Sequence, residues 1–211
     1  ACGLGELWLK HATGLPPKAL LTCSRAQQKP RLDGILNDVI WNATTAVPLS
    51  SAQHDDHDWP CVVLAAQDRE YLYLAISAQK PTLTLNTTSN RARPRDANLS
   101  AHDRVEFLID IDRDFATYFR LSVDHRGWSR ESCFGDLTWN PSWFVAARDA
   151  EREWTCEIAI PLHELTPQAP LGQDAWAIGI QRIVPQAGFQ SWTQPADINI
   201  QPRGFGLMVF E

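Results

Sequence analysis

The sequence predicts an all-β chain that folds as a single antiparallel β-sandwich of the jelly-roll type. Short apolar runs of strand length recur along the chain, separated by turn residues. The chain has 14 Pro, 11 Gly and 9 Trp but only one Met. No segment shows the sustained 3.6-residue periodicity of an amphipathic helix. A domain of 211 residues buries roughly 70% of its unfolded surface, so its core needs no disulfide or metal to be stable.

The elements follow one another from residue 18 onward. Residues 1–17 stand apart, and we interpret them as a lead-in segment or the tail of a preceding domain; no signal peptide is recognisable there. The sandwich is expected over residues 18–211. "PLHELTP" is at most one helical turn. The predicted strands are, in order, "ALLTCSRA", "PCVVLAAQ", "YLYLAISAQ", "RVEFLIDI", "TYFRLSVD", "WTCEIAIP", "WAIGIQRIV" and "FGLMVFE".

Charge and motifs exclude several classes of protein. The 19 Lys and Arg against 25 Asp and Glu give a net charge of −6. The sequence has no run of basic residues that could bind a phosphate backbone, so we expect no nucleic-acid partner. No apolar run approaches the roughly 18 residues of a membrane span. The sequence has no G-x-S-x-G, H-E-x-x-H or phosphate-binding loop motif, so an enzyme is the least favoured class.

The five cysteines are widely spaced and form no C-x-x-C motif, which disfavours a zinc ribbon or a redox site. Cys61 and Cys156 lie in strand-like runs, where a cysteine acts as a small buried apolar residue. In an exported protein these two could instead form a disulfide, with Cys2 pairing with Cys23. The sequence leaves both options open.

The hairpin formed by "RVEFLIDI" and "TYFRLSVD" has one apolar and one polar face. Glu106 lies on the polar face of the first strand and Arg120 on that of the second. A loop centred near Asp114 makes the polar faces coincide and places Arg120 diagonal to Glu106. This face is either an exposed surface with an ordinary ion pair or a surface that hydrogen-bonds a polar ligand.

Two acidic stretches resemble metal sites. "HDDHD" at residues 54–58 offers metal-ligand types, but contiguous ligands rarely converge on one ion, so a solvated loop is favoured. Asp110, Asp112 and Asp114 imitate the start of a calcium loop. Phe115 replaces the glycine of an EF-hand and Leu121 its final glutamate, which leaves a single calcium at the hairpin loop as the remaining option.

The tryptophans fall into a core group and a loop group. Trp41, Trp154 and Trp176 lie in apolar contexts and are expected in the core. Five others lie beside Pro, Gly, Ser or Asn, where a ring either covers the core or stacks on the C–H face of a sugar. This loop group consists of Trp59, Trp128, Trp139, Trp143 and Trp192.

The order of these segments resembles that of the family 9 carbohydrate-binding modules and their wider DOMON-like sandwich superfamily. The resemblance runs from about Ala19 to Glu211. It rests on "KPRLDGILNDVIW", "VVLAAQDREYLYLAIS", "AHDRVEFLIDI" with His102 for the first Asp of D-D-x-x-E, "YFRLSVDHRG", "WTCEIAIPLHEL", and the closing "AIGIQRI", "SWTQP" and "PRGFGLMVFE".

The resemblance implies a jelly-roll sandwich with structural calcium that clamps a saccharide end between two Trp. By position, Glu106, Arg120 and Arg182 are then expected to bind hydroxyls and Trp192 to stack on the sugar. The other clamp Trp is expected just before the D-x-x-E strand, where this chain has "RDANLSAHD" with no aromatic residue. The second stacking position is then expected at another loop Trp, which leaves Trp59, Trp128, Trp139 and Trp143 open, or the sugar is stacked from one side only; our candidate is Trp128.

We therefore predict a non-catalytic carbohydrate-binding module for a glycan or a plant or algal polysaccharide. It is expected to belong to a larger exported protein, extracellular or periplasmic. The alternative from another class is a structural or protein-interaction sandwich without a small ligand, which the missing clamp Trp favours. A haem-binding domain of the same superfamily is a third option, with Met208 as the only Met available as an axial ligand.

Overall fold

The strands that the apolar runs predict are present in a computed structural model, which describes residues 18–53, 56–82, 94, 96–193, 198–199 and 201–211. Within these residues the chain is almost entirely β, which confirms the predicted fold class. The helical turns are α1 (Val39–Asn42), α2 (Leu162–Leu165) and a 3₁₀ turn (Pro202–Gly204). The strands are β1 (Leu20–Arg25), β2 (Val47–Leu49), β3 (Cys61–Gln67), β4 (Tyr71–Gln79), β5 (Arg104–Asp110), β6 (Phe119–Asp124), β7 (Ser129–Cys133), β8 (Phe144–Asp149), β9 (Glu153–Pro161), β10 (Ala175–Val184), β11 (Gly188–Ser191) and β12 (Gly206–Phe210).

The predicted lead-in, residues 1–17, lies outside the described residues, so the domain boundary after residue 17 stays a prediction. Among the residues that are described, no helix combines the length and apolar character that crossing a bilayer requires.

Two sheet layers enclose the core and are joined through β1. One layer has the order β7-β6-β5-β10-β12-β1, and the other continues from β1 as β3-β4-β9-β8. β1 runs parallel to both neighbours: residues 20–23 pair with 207–210, and residues 24–25 with 66–67. The other pairings between described strands are antiparallel. No local sequence pattern indicated this parallel strand, and the jelly-roll order stays a prediction.

Alternating apolar residues of both layers form one core. Phe107 on β5 and Ile180 on β10 are fully buried in the same cluster as Leu74 on β4 and Ile158 on β9. Each such side chain stabilises the fold by roughly 1.5–3 kcal/mol when removed from water. The core therefore fixes which face of β5, β6 and β10 points outward.

The β5–β6 hairpin has the predicted register. Glu106 pairs with Ser122 and Leu108 with Arg120, so Arg120 is diagonal to Glu106 on the outward face. The alternation of apolar residues in both strands was sufficient to predict this arrangement, because a shift of one residue would expose the whole apolar face.

Four of the described strands were not predicted: β2, β7, β8 and β11. Of these, β7 has the sequence "SRESC" and extends the first layer beyond β6. Because it is an edge strand with mostly polar residues, its pairing with β6 rather than its composition decides its conformation.

The cysteines and tryptophans refine the predicted core. Cys61 and Cys156 are both buried free thiols rather than a disulfide, and burial raises the pKa of Cys61 to about 12. Cys2 lies outside the described residues. The three Trp expected in the core are buried, but so is Trp59 from the loop group, at 6% exposure.

Candidate functional site

A groove of about 400 Å³ lies on the outward face of β5, β6 and β7, where the pleat places every second side chain. The loop before β5 forms one wall, and the turn after β7 forms the other. The lining side chains are predominantly polar or charged, which suits hydrogen bonding to a polar ligand. The lining consists of Asn98, Leu99, Ser100, Arg104, Glu106, Arg120, Ser122, Arg130, Glu131, Ser132, Gly135 and Leu137.

Glu106 forms the floor of this groove and is held from three sides. The Arg104 Nε donates to Glu106 Oε1 at 2.9 Å, and the Gln181 Nε2 donates to Glu106 Oε2 at 3.0 Å. The Arg120 Nη1 lies 3.9 Å from Oε2. The carboxylate therefore has a fixed orientation, and lone pairs remain that can accept hydrogen bonds from hydroxyl groups.

Two further arginines border the floor. The Arg120 side chain is 43% exposed. Arg130 on β7 pairs with Ser122, so it lies on the same face as Arg120. Sequence reasoning missed Arg130 because "SRESC" does not read as a strand. It also missed Arg104, although its position two residues before Glu106 placed it on the same face.

The loop before β5 contributes a polar wall. The Ser100 backbone N–H donates to Asn98 Oδ1 at 3.0 Å, and the Ser100 carbonyl accepts from Arg104 Nη1 at 3.3 Å. Leu99 between them is buried. This is the segment in which the family resemblance expects a clamp aromatic, and here it presents amide and hydroxyl groups instead. Leu137, 42% exposed, adds an apolar contact on the opposite wall.

Arg182 lies on the core side of the sheet, whereas the sequence analysis grouped it with Glu106. It pairs with Val105, one register position away, and so points to the opposite face. Its Nε and Nη2 donate to Asp103 at 2.9 and 2.7 Å, and its Nη1 donates to the Trp59 carbonyl at 2.9 Å. Burial disfavours the charge, but hydrogen bonding and the charge of Asp103 outweigh it and raise the pKa of Arg182.

Trp192 and Trp128, the two residues predicted to stack on a sugar, lie at different places in the structure. The Trp192 ring packs against the main core and against Gly206, and its backbone N–H donates to the Ile180 carbonyl at 3.0 Å. Trp128 follows β6 at the hairpin turn, where the Arg126 guanidinium lies 3.9 Å from its ring centre. By alternation Trp128 shares the face of Arg130, beside one end of the groove.

Of the five predicted binding residues, Glu106 and Arg120 therefore line one groove, and Trp128 lies beside it. Arg182 and Trp192 lie on the core side of the same layer. The ligand-binding role of all five stays a prediction.

The three aspartates predicted to bind calcium come together after β5. One carboxylate oxygen from each of the three lies within 4.8 Å of the other two. Ligands at about 2.4 Å on opposite sides of a calcium ion are separated by the same distance. Phe115 adopts a φ of 55°, the conformation that glycine provides in an EF-hand loop. The oxygen donors of Asp110, Asp112 and Asp114 thus fit a hard cation such as calcium.

The environments of these carboxylates differ. Asp110 is buried and accepts the backbone N–H groups of Arg113 and Phe115 at 2.7 and 2.9 Å; burial nonetheless raises its pKa. Backbone hydrogen bonds from Thr117 and Ala116 lower the pKa of the exposed Asp114. The whole loop is therefore built around carboxylates that accept hydrogen bonds from their own backbone.

The "HDDHD" segment is described only in part, because residues 54 and 55 lie outside the described residues. Asp56 accepts the Ser51 backbone N–H at 3.0 Å, and His57 contacts Asp58 at the surface. Among the described side chains, only the aspartate group after β5 has a geometry that fits a metal.

Comparison with solved structures identifies proteins of similar fold. No protein-family model matches the chain, and no curated protein is similar enough to match it. A family 9 carbohydrate-binding module from Caldicellulosiruptor kristjanssonii in complex with glucose is 16% identical, with a TM-score of 0.66 over 92% of this chain and 96% of that chain. Its complex with cellotriose gives 16% identity and a TM-score of 0.65, with 92% and 94% covered.

A structure from Bacteroides uniformis, described as a candidate carbohydrate-binding protein, is 14% identical, with a TM-score of 0.69 over 92% of this chain and 100% of that chain. At such identities a likeness establishes the fold and not the ligand. The chain therefore has the β-sandwich fold of the family 9 carbohydrate-binding modules.

Proposed function

We propose that the chain binds carbohydrate without catalysing a reaction, and that the groove over β5, β6 and β7 is the binding site. The observation that carries this proposal is the groove itself, in which Arg104, Glu106 and Arg120 form a connected set of donors and acceptors on an outward sheet face. The similar folds are those of modules solved with glucose and with cellotriose.

The chemistry of the groove suits sugar hydroxyls. Adjacent hydroxyls on a pyranose ring can donate to a carboxylate and accept from a guanidinium at the same time, and both groups have planar, directional geometry. Ser122 and Ser132 are buried small residues of the floor that leave room above the strands. Leu137 and Trp128 offer apolar contacts at the two ends, with Trp128 the proposed stacking ring.

The arrangement favours binding over hydrolysis. Glycosidases place two carboxyl groups on either side of the bond that breaks, roughly 5–10 Å apart. On the groove face, among the described lining residues, Glu106 is the one carboxylate. Glu131 belongs to the core-facing register of β7, and its Oε2 accepts a hydrogen bond from Trp143 Nε1 at 3.3 Å.

A calcium ion at Asp110, Asp112 and Asp114 is a further part of the proposal, supported by the oxygen geometry of the loop. These aspartates follow the far end of β5 from Arg104, so the ion would brace the hairpin rather than touch the sugar. Membership of a larger exported protein, and with it an extracellular or periplasmic location, is proposed from the resemblance to binding modules.

A structural or interaction module without a small ligand is the second candidate, supported by the absence of an aromatic ring in the wall at residues 98–100. A haem-binding domain has less support, because Met208 is fully buried in the main core.

A glycan array followed by titration calorimetry separates these candidates. We expect Glu106→Gln to weaken binding of the best glycan at least about tenfold, since it removes a charged acceptor from the floor. Glu70→Gln, at an exposed ion pair with Lys29 in the other layer, is the matched control. Unchanged affinity of Glu106→Gln would move the site elsewhere, and an array without any bound glycan would favour the interaction module.

A further inference from the structure

The groove carries more positive charge than its floor can balance. Three arginines line it, Arg104, Arg120 and Arg130, against two carboxylates, Glu106 on the same face and Glu131, whose register turns it to the core side. Asp124, beyond the Arg104 end, is already paired with a neighbouring arginine. The groove face is therefore locally positive on a chain whose net charge is −6.

Glu106 balances the charge of Arg120 only in part. Its two oxygens accept from Arg104 and Gln181 at 2.9 and 3.0 Å, whereas Arg120 lies 3.9 Å away, beyond hydrogen-bond distance. Within the described part of the chain, Arg130 makes no ion pair. Arg120 and Arg130 thus retain most of their capacity to bind an anion.

The β6–β7 register brings these two guanidinium groups together. Arg120 pairs with Ser132 and Arg130 pairs with Ser122, so the arginines are diagonal neighbours on the same face. Diagonal residues are about 7–8 Å apart, a distance that two long side chains easily span. A single anionic group above the two serines can therefore contact both arginines.

We propose that the groove selects an acidic saccharide, whose carboxylate or sulfate group binds between Arg120 and Arg130. This inference rests on the proposed function and adds the class of sugar. A guanidinium matches a planar carboxylate or a sulfate with paired hydrogen bonds. A neutral sugar would cover the same two charges without providing a counter-charge, which makes its binding less favourable.

Titration calorimetry with a matched pair of ligands tests this inference. An oligogalacturonate and its methyl ester differ in the charge of the carboxyl groups, and a sulfated oligosaccharide of equal length distinguishes the two sources of anion. We expect the acid to bind at least about tenfold more tightly than the ester, as one charge-assisted hydrogen bond predicts.

Substitutions of the two arginines test whether they cause the preference for the acidic ligand. Arg130→Gln is expected to weaken binding of the acid by about tenfold and to change binding of the ester by less than about twofold. Arg120→Gln also removes a donor to sugar hydroxyls and is expected to weaken binding of both ligands, that of the acid more. Arg69→Gln removes the same charge from an exposed turn in the other layer and is expected to change neither. Thermal unfolding of each variant checks that the fold is retained.

Five results decide between these outcomes. Tighter binding of the sulfated ligand supports an anionic sugar with sulfate as its group. Equal affinity of acid and ester overturns the inference, as does equally tight binding of polyglutamate, which would show an unspecific cationic surface. If the protein binds neutral sugars as tightly as acidic ones and Glu106→Gln abolishes that binding, the proposed function stands and the inference of an acidic saccharide fails. Absence of binding to any saccharide would overturn both.

Discussion

The buried pair of Arg182 and Asp103 is expected to contribute strongly to stability. Asp103→Ala would remove both hydrogen-bonded oxygens from the guanidinium and also the acceptor of Trp154 Nε1, which lies 2.8 Å away. Arg182 would remain 0% exposed with an uncompensated charge. Removing one partner of such a pair costs about 3–5 kcal/mol. In a chain of this length each kcal/mol lowers Tm by roughly 2–4 °C, so we expect a fall on the order of 10 °C.

Urea unfolding followed by intrinsic fluorescence measures this loss, because the midpoint shifts while the slope is retained in a two-state transition. Glu70→Gln provides the comparison, since it breaks an exposed ion pair worth at most about 1 kcal/mol. If Asp103→Ala costs no more than Glu70→Gln, Arg182 is not held as described, and its predicted role in ligand binding regains support.

Three other outcomes follow from the structure. Gly206→Ala should destabilise the fold by about 1–3 kcal/mol and alter tryptophan fluorescence, because the new Cβ would lie 2.5 Å from the Trp192 ring and 2.7 Å from a backbone oxygen; an unchanged Tm would contradict this packing. Calcium should raise Tm, and Asp112→Asn should abolish that increase; an equal increase in the variant would place the ion elsewhere. Burial raises the pKa of Glu157 above 4.5, so the folded state binds more protons than the unfolded state. The free energy of unfolding of the wild type, relative to that of Glu157→Gln, should therefore fall as pH rises above 4.5. A difference that does not depend on pH would refute the raised pKa of Glu157.

Local patterns in the sequence predicted more of the fold than of the site. The alternation within β5 and β6 fixed the relation of Glu106 to Arg120, because both strands belong to one hairpin with a short loop. The same reasoning could not place Arg182, since its pairing with Val105 joins residues 77 positions apart and no local signal sets the register of β5 with β10.

Arg130 was missed for a different reason. Its strand has the composition of a loop, and only pairing with β6 makes it extended. Trp192 was assigned by its place in the closing motif, whereas the glycine at position 206 decides where its ring packs. Residues whose position depends on pairing or packing with another segment, near or distant, were therefore not predictable from the local pattern.

The parallel pairing of β1 has a consequence for the order of folding. Residues 20–23 can pair only once residues 207–210 are available, so this contact spans almost the whole chain. Bringing such distant segments together has a high entropic cost, and contacts of this kind form late. The hairpins of both layers can assemble earlier, from neighbouring segments. β1, which belongs to both layers, would then be the last strand to pair and would join the two layers.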